Sequence, residues 1–178
     1  MIDVQVLKER VVATVDALEG ELVALATRIH DHPELGFAEH QAVAWLTEIL
    51  AREGFTTEVG VADLATAFRA TYQGTQGRPR VAFLAEYDAL PQLGHACGHN
   101  LIAAASLGAA VALKRAVPDL PGTIVVLGTP AEEGGGGKVL MLEKGLFADL
   151  DAVMMFHPSR RNWFVRGALA AVKLRINF

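Results

Sequence analysis

The sequence predicts an α/β fold with a mostly parallel central sheet. Three short apolar runs, at residues 81–87, 123–127 and 151–156, have the length of buried strands. Two runs with helical spacing, at residues 101–116 and 138–144, separate them. Strand, helix, strand, helix, strand is the order in which right-handed crossovers build a parallel sheet. Because hydrophobic residues make up 52% of the 178-residue chain, a buried core is well supplied.

The chain begins with predicted helices. Residues 4–30 carry apolar side chains at three- and four-residue steps, which predicts one helix, or two helices joined near Gly20. A second helix is predicted over residues 39–52. Pro33 fixes the turn between them, so we interpret the two histidines at its start, His30 and His32, as turn and capping residues.

Strands precede and follow the central crossovers. Residues 56–59 and 65–72 have strand-like composition, and the Gly- and Pro-containing segment 73–79 is typical of an exposed turn. Residues 170–178 alternate apolar and polar side chains at period two, which predicts a half-buried strand at the end of the chain. Asn100 is expected to be the N-cap of the alanine-rich helix that follows it.

Metal-binding side chains follow each of the three buried strands. In an open parallel sheet, ligands bind beyond the carboxyl ends of the strands, so these side chains are expected to share one rim. Because they come from three separate segments, their common placement is stronger evidence than any single motif. The candidates are Cys97 and His99 after the first strand, Glu132 and Glu133 after the second, and His157 after the third.

These residue types fit a catalytic metal site. Thiolate, imidazole and carboxylate are the usual ligands of zinc, and a catalytic site leaves one position open. The two adjacent glutamates can divide the work, since one can bind metal while the other accepts a proton. Cys97 precedes a predicted helix, where the dipole and a nearby cation are expected to favour the thiolate. His95 and Asp88 are expected to orient ligands by hydrogen bonds, whereas Glu86 can equally be a simple strand-end acid.

Composition excludes several classes of function. The net charge of −4 offers no basic face for nucleic acid, and no apolar run approaches the ~20 residues that span a bilayer. The N-terminus lacks the basic start and apolar core of a signal peptide. With its single cysteine, which cannot form an internal disulfide, the chain is expected to be cytoplasmic.

Several of these segments together resemble a known family. The chain resembles the M-twenty metallopeptidases, and within them the amidohydrolase branch of auxin-conjugate hydrolases, hippurate hydrolases and p-aminobenzoyl-glutamate hydrolase. Asn100 departs from the aspartate common in the auxin-conjugate enzymes. Together with Glu86-Tyr87-Asp88, it points to the sub-branch that includes p-aminobenzoyl-glutamate hydrolase and the β-alanyl-type dipeptidases. The resemblance is carried by residues 30–36, 87–91 (Tyr-Asp-Ala-Leu-Pro), 95–100 (His-Ala-Cys-Gly-His-Asn), 130–138 and 156–158.

The resemblance implies a three-layer α/β/α catalytic domain with two divalent metal ions, which could be zinc, manganese or cobalt. It gives Cys97 the metal-bridging place, makes His99, Glu133 and His157 ligands, and makes Glu132 the general base. It further implies hydrolysis of the amide bond of an N-acyl amino acid or dipeptide. Asp88, His95 and Asn100 fall in the supporting shell around the ligands.

Family members are longer than this chain. They continue into a lid domain, through which they commonly form homodimers, and then supply one more histidine ligand. The resemblance therefore implies that residues 1–167 form the N-terminal part of the catalytic domain and that residues 168–178 begin the lid.

Two other functions remain open on the sequence. The chain could be a non-catalytic remnant that binds metal or a partner without turnover. It could also be a cysteine hydrolase using Cys97 and His99. However, two residues so close together in one loop are badly placed to act as nucleophile and base.

Overall fold

A computed structural model of the chain describes residues 3–162. Helices and strands alternate in the order that the sequence predicts, and Gly20 does not interrupt the first helix. A short 3₁₀ turn, Val61–Asp63, also lies between the first two strands. The elements are α1 (Val4–Asp31), α2 (His40–Arg52), β1 (Thr56–Val59), β2 (Phe68–Gln73), β3 (Arg80–Ala85), α3 (His99–Ala116), β4 (Thr123–Gly128), α4 (Gly137–Glu143) and β5 (Ala152–Met154).

The five described strands form one sheet in the order β1-β2-β4-β3-β5. Strand β3 pairs in parallel with both β4 and β5, while β2 pairs antiparallel with β1 and β4. Four of these strands therefore point in one direction and only β2 runs against them, which confirms the predicted mostly parallel sheet. The carboxyl ends of β3, β4 and β5 lie at one edge.

The sheet is covered on both faces, as expected for a three-layer α/β/α domain. Alternate residues of β4 show this, because Ile124 and Val126 join the core beneath α1, α2 and α3. Val125 and Leu127 join a smaller core that includes Met141 of α4. All six residues of β4 are buried, which fits the central position of this strand.

The turn between α1 and α2 packs against the loop that follows β3. The Glu34 carboxylate accepts hydrogen bonds from the backbone amides of Gln41 and Ala42, so it caps the start of α2 from outside the helix. The Glu34 carbonyl accepts a hydrogen bond from the amide of Ala89 at 2.8 Å. These bonds place residues 34–37 beside the rim of the sheet.

Two predicted details are wrong. The N-cap of α3 is Gly98, at φ 84°, and Asn100 lies inside the helix. Glycine suits this position because its backbone is left-handed. Strand β5 is not buried, since Val153 is 43% and Met154 is 47% exposed. An apolar run looks the same in sequence whether its strand is central or, like β5, pairs with only one described neighbour.

Other predictions fall outside the described residues. These are the predicted strand at residues 170–178 and the domain boundary between residues 167 and 168. Among residues 3–162, no helix combines the length and apolar character needed to cross a membrane.

Candidate metal centre

The predicted ligands meet at the carboxyl edge of the sheet. One ligand atom each from Cys97, His99 and His157 lies within 4.8 Å of the others. His99, Glu132 and Glu133 form a second set that meets the same limit. His99 belongs to both sets, so the structure brings all five residues around one imidazole.

The ring of His99 is fully buried and firmly oriented. Its Nδ1 donates to the backbone oxygen of Asp88 at 2.8 Å and to Asp88 Oδ1 at 2.9 Å. When the imidazole is neutral, this leaves the lone pair on Nε2. Asp88 also accepts a hydrogen bond on Oδ2 from the backbone amide of Glu133 at 2.9 Å, so one carboxylate ties together the loops after β3 and β4.

Carboxylate oxygens surround Nε2 of His99. Glu86 Oε2 lies at 3.4 Å, and single oxygens of Glu132 and Glu133 lie at 3.8 Å. Neither Nε2 nor Glu86 Oε2 has a hydrogen-bond partner among the described residues. Lone pairs that face one another in a buried site require a cation between them, either a proton or a metal ion.

The pKa values of His99 and Asp88 are shifted by burial and by the contacts that these two residues make. Burial lowers the pKa of His99, but the hydrogen bond to Asp88 and the charges of Asp88 and Glu86 raise it more, so the net shift is upward. Burial raises the pKa of Asp88, but the hydrogen bonds from His99 and from the Glu133 backbone outweigh it, so the net shift is downward. The site thus holds excess negative charge that a divalent cation can neutralise.

Cys97 is a protonated thiol in this environment. Its pKa is raised to about 11 by its hydrogen bond to the Glu133 carboxylate, by burial, and by the charges of Glu133, Glu132 and Glu86. The prediction that the helix dipole and a nearby cation favour a thiolate here is therefore wrong for the metal-free chain. A divalent cation would reverse the shift by pairing with the thiolate. The same acids make Cys97 a poor nucleophile and weigh against a cysteine hydrolase.

His157 approaches from the exposed side of the site. Its Nδ1 lies 2.8 Å from the Pro158 carbonyl, so Nδ1 donates and Nε2 keeps the lone pair. Its ring stands nearly perpendicular to that of His99, with centroids 6.3 Å apart. One thiol, two imidazoles and two carboxylates thus converge, and this donor set fits zinc or a similar transition metal.

The loop carrying Glu132 and Glu133 is held by a buried acid that sequence reasoning missed. Glu39 is fully buried, and its two oxygens accept hydrogen bonds from the Thr66 hydroxyl at 2.7 Å and the Ala131 amide at 2.8 Å. Ala131 has a left-handed φ of 55°, so the backbone turns sharply just before the glutamates. A lone acid at a helix start gives no sequence signal of this role.

Glu86 and Lys138 also belong to the site, although sequence reasoning assigns Glu86 no preferred role. Glu86 is 1% exposed, and its Oε1 accepts a hydrogen bond from Lys138 Nζ. Its other oxygen faces His99. The pairing joins the end of β3 to the first turn of α4, 52 residues apart, so only the folded chain reveals it.

The remaining supporting residues differ in what they contact. Asn100 donates from Nδ2 to the Ala26 carbonyl of α1 at 3.1 Å, so this bond joins two helices and does not orient a ligand. His95 is buried, and its pKa is lowered by burial first and then by the charges of His99 and His30. A role for His95 in orienting ligands stays a prediction.

Known proteins share sequence with this chain. Residues 82–170 match the sequence model of Peptidase family M20/M25/M40. The chain is 44% identical over 172 residues to the Xaa-Arg dipeptidase of Mus musculus, an alignment that covers 90% of this chain and 40% of the relative. It is 37% identical over 165 residues to one of the subunits of the p-aminobenzoyl-glutamate hydrolase of Escherichia coli, covering 80% and 34% respectively.

A solved structure shares the fold. The crystal structure of a Bacillus subtilis protein, described as a dinuclear metal-binding peptidase of the M20 family, superposes with a TM-score of 0.69 at 29% identity. The match covers 78% of this chain and 42% of that one. The chain therefore spans about two fifths of the length of the relatives that it matches.

Proposed function

Because the chain belongs to peptidase family M20/M25/M40, we propose that it forms the metal-binding part of an amidohydrolase. The reaction is hydrolysis of the amide bond of an N-acyl amino acid or a small dipeptide. The observation that carries the proposal is the convergence of Cys97, His99, Glu132, Glu133 and His157 on one rim.

The chain's part in metal binding follows from its donor atoms. Cys97 would hold metal through its sulfur, and His99, Glu133 and His157 would supply the other ligand atoms. Two divalent cations, zinc, manganese or cobalt, are proposed by similarity to the dinuclear M20 peptidase. When bound, such cations polarise an amide carbonyl and lower the pKa of water, which supplies a nucleophile at neutral pH.

The two glutamates are assigned by their exposure. The side chain of Glu133 is 19% exposed, and its backbone amide is fixed by Asp88, which suits a ligand. The side chain of Glu132 is 43% exposed and lies on the same rim, which suits a residue that meets substrate. Glu132 accepts a proton from the attacking water and returns it to the departing amine.

The substrate class rests on the relatives. Their names, Xaa-Arg dipeptidase and p-aminobenzoyl-glutamate hydrolase, describe an amide bond to an α-amino acid, and the same bond is proposed for this chain. A cytoplasmic location, and homodimerisation through a lid domain beyond this chain, belong to the same proposal. The single cysteine supports the first and the family resemblance supports the second.

Metal reconstitution followed by a turnover assay tests the proposal. The purified chain is stripped with a chelator, reloaded with zinc, manganese or cobalt, and assayed for amino acids released from N-acyl amino acids and dipeptides. We expect metal-dependent release that disappears in Glu132→Gln, with the metal content unchanged. Metal binding without release of any amino acid would instead identify a non-catalytic metal-binding chain. Failure to bind metal would contradict both functions.

A further inference from the structure

Glu132, the proposed general base, lies on a turn whose backbone is held on both sides of it. On one side, the Ala131 amide donates to Glu39 Oε1 at 2.8 Å. On the other side, the Glu133 amide donates to Asp88 Oδ2 at 2.9 Å. Both acids are buried and come from segments far from this turn in the sequence. Two buried carboxylates therefore anchor the residues immediately before and after Glu132.

The turn itself offers Glu132 little support. Residues 134–137 are four consecutive glycines, whose backbone has the widest conformational freedom. The Ala131 carbonyl accepts a hydrogen bond from the Gly135 amide at 3.0 Å, but this bond lies within the same glycine-rich turn. The Glu132 side chain is 43% exposed, so burial does little to fix it. A fixed position for Glu132 thus depends on anchors outside the turn.

Ala131 is the strained point of the turn. Its φ of 55° lies in the left-handed region, which is unfavourable for a residue with a Cβ. The Ala131 side chain is buried against residue 36, where a Cβ in place of glycine would lie 2.8 Å from the Ala131 Cβ. A hydrogen bond to a carboxylate is stronger than one to a neutral acceptor. The bond from the Ala131 amide to Glu39 can therefore offset the strain and favour this conformation.

The side chain of Glu39 has no local role in its own helix. Glu39 is the N-cap residue of α2, yet its side chain makes no capping hydrogen bond, and Glu34 bonds to the first amides of the helix instead. The two oxygens of Glu39 accept hydrogen bonds from Thr66 and Ala131, which lie 27 and 92 residues away in the sequence. Because a buried acid is costly, these distant bonds are the reason for its placement.

We infer that Glu39 is a positioning residue for the proposed hydrolysis, and that it fixes Glu132 where Glu132 can exchange a proton with the attacking water. The inference rests on the proposed function, because Glu132 has this task only in that reaction. Glu39 acts through the Ala131 amide and contacts neither substrate nor metal. Asp88 holds a proposed metal ligand, His99, so the two acids control different steps.

Steady-state kinetics and zinc titration separate the two acids. Glu39→Ala should lower kcat about 10–100-fold, because a misplacement of about 1 Å at a reacting group has an effect of this order. The KM and the affinity for zinc should change much less, since the metal ligands keep their own anchor at Asp88. Asp88→Asn should instead weaken zinc binding. An unchanged kcat in Glu39→Ala, or a zinc affinity that falls as much as kcat, would overturn the inference.

Matched variants distinguish positioning from a general loss of stability. Glu39→Gln should keep most of the rate, because its amide oxygen can accept from Ala131 while its NH₂ group donates to the Thr66 hydroxyl. Thr66→Val removes only the bond at the far oxygen of Glu39, and Ser106→Ala removes a buried bond to the Leu84 carbonyl. Both should unfold at lower urea concentration with kcat unchanged. A kcat that falls in proportion to stability across these variants would show that Glu39 is merely structural.

NMR relaxation measures the positioning without metal or turnover. In the metal-free wild type, the Glu132 amide should have the order parameter of rigid backbone, about 0.85, and in Glu39→Ala it should fall below about 0.6. Glu39→Gln should restore it. Glu39→Asp keeps the buried charge but is one methylene shorter, so it should show a smaller loss, and it decides the question if Glu39→Ala does not fold. An equally rigid Glu132 amide in both shortened variants would contradict the inference.

The two measurements keep the inference separate from the proposed function. If the wild type shows no turnover, the proposed hydrolysis fails, and a loss of rigidity in Glu39→Ala still identifies Glu39 as the residue that fixes Glu132. If the wild type shows turnover and Glu39→Ala keeps its kcat, the proposed function stands and the inference about Glu39 fails.

Discussion

Asp88 accepts a hydrogen bond from His99 Nδ1 at 2.9 Å, and this bond directs the Nε2 of His99 into the candidate metal centre. The second oxygen of Asp88 holds the backbone amide of Glu133. One buried carboxylate therefore orients His99, the first residue of α3, and also holds the loop that carries Glu133.

Replacing Asp88 with Asn should weaken metal binding although Asp88 is not a proposed ligand. Asparagine has one acceptor oxygen and cannot hold both His99 and the Glu133 amide. We expect an affinity for zinc about 10–100-fold lower, the usual effect of losing a group that orients a ligand. Calorimetric titration measures it. Asp63→Asn, at an exposed acid paired with Lys144, is the control and should bind zinc as the wild type does. Equal affinity in Asp88→Asn would show that Asp88 does not position the ligands.

Metal binding should become tighter as the pH rises. The pKa of Cys97 is about 11, above its ordinary value of 9.0, so the thiol is protonated at neutral pH and must release a proton to bind metal. Between about pH 6 and pH 8, this group contributes up to a tenfold gain in apparent affinity per pH unit. Titrations in buffers of different ionisation enthalpy count the protons released. Cys97→Ser should bind metal more weakly and release about one proton fewer; an unchanged proton count would exclude Cys97 as a ligand.

In the metal-free chain, the raised pKa of Cys97 makes folding less favourable at high pH, whereas it makes metal binding tighter there. A raised pKa means that the folded state prefers the protonated thiol. Its contribution to stability is therefore complete below about pH 9, and it is lost as the pH rises through about 11.

The sequence predicts the placement of the site better than its electrostatics. Cys97, Glu133 and His157 could be expected on one rim because each follows an apolar run that predicts a parallel strand. The roles of Glu39 and Glu86 could not, because their partners, Ala131 and Lys138, lie 92 and 52 residues away.

The protonation state of the Cys97 thiol could not be predicted from the sequence either. A cysteine before a helix suggests a thiolate, but the three glutamates that face Cys97 gather only when the chain folds. The exposure of β5 likewise depends on its neighbours, which an apolar run does not reveal.

The two adjacent glutamates should differ sharply when each is changed to glutamine. Glu132→Gln should retain metal and lose about 10²–10⁴-fold in kcat, the usual contribution of a general base. Glu133→Gln should lose metal first, because it removes a proposed ligand. Metal content by elemental analysis, measured beside turnover of an N-acyl amino acid, separates the two variants. Loss of metal in Glu132→Gln but not in Glu133→Gln would reverse the assignment.

Lys138 should stabilise the metal-free site by neutralising Glu86. The Glu86 side chain is 2% exposed, so Lys138→Met would leave a buried carboxylate beside the acids around His99. Removing one partner of a buried pair costs about 3–5 kcal/mol, and we expect a value near the lower end because Lys138 is 31% exposed.

Urea unfolding in a chelator measures the loss, and Glu86→Gln with Lys138→Met should recover much of it because both charges are then gone. Zinc should also recover part of it, since a bound cation replaces the lost positive charge near Glu86. Lys144→Met, at an exposed pair with Asp63, is the control and should change stability little. If Lys138→Met unfolds at the same urea concentration as the wild type, the negative charge of Glu86 is compensated in another way.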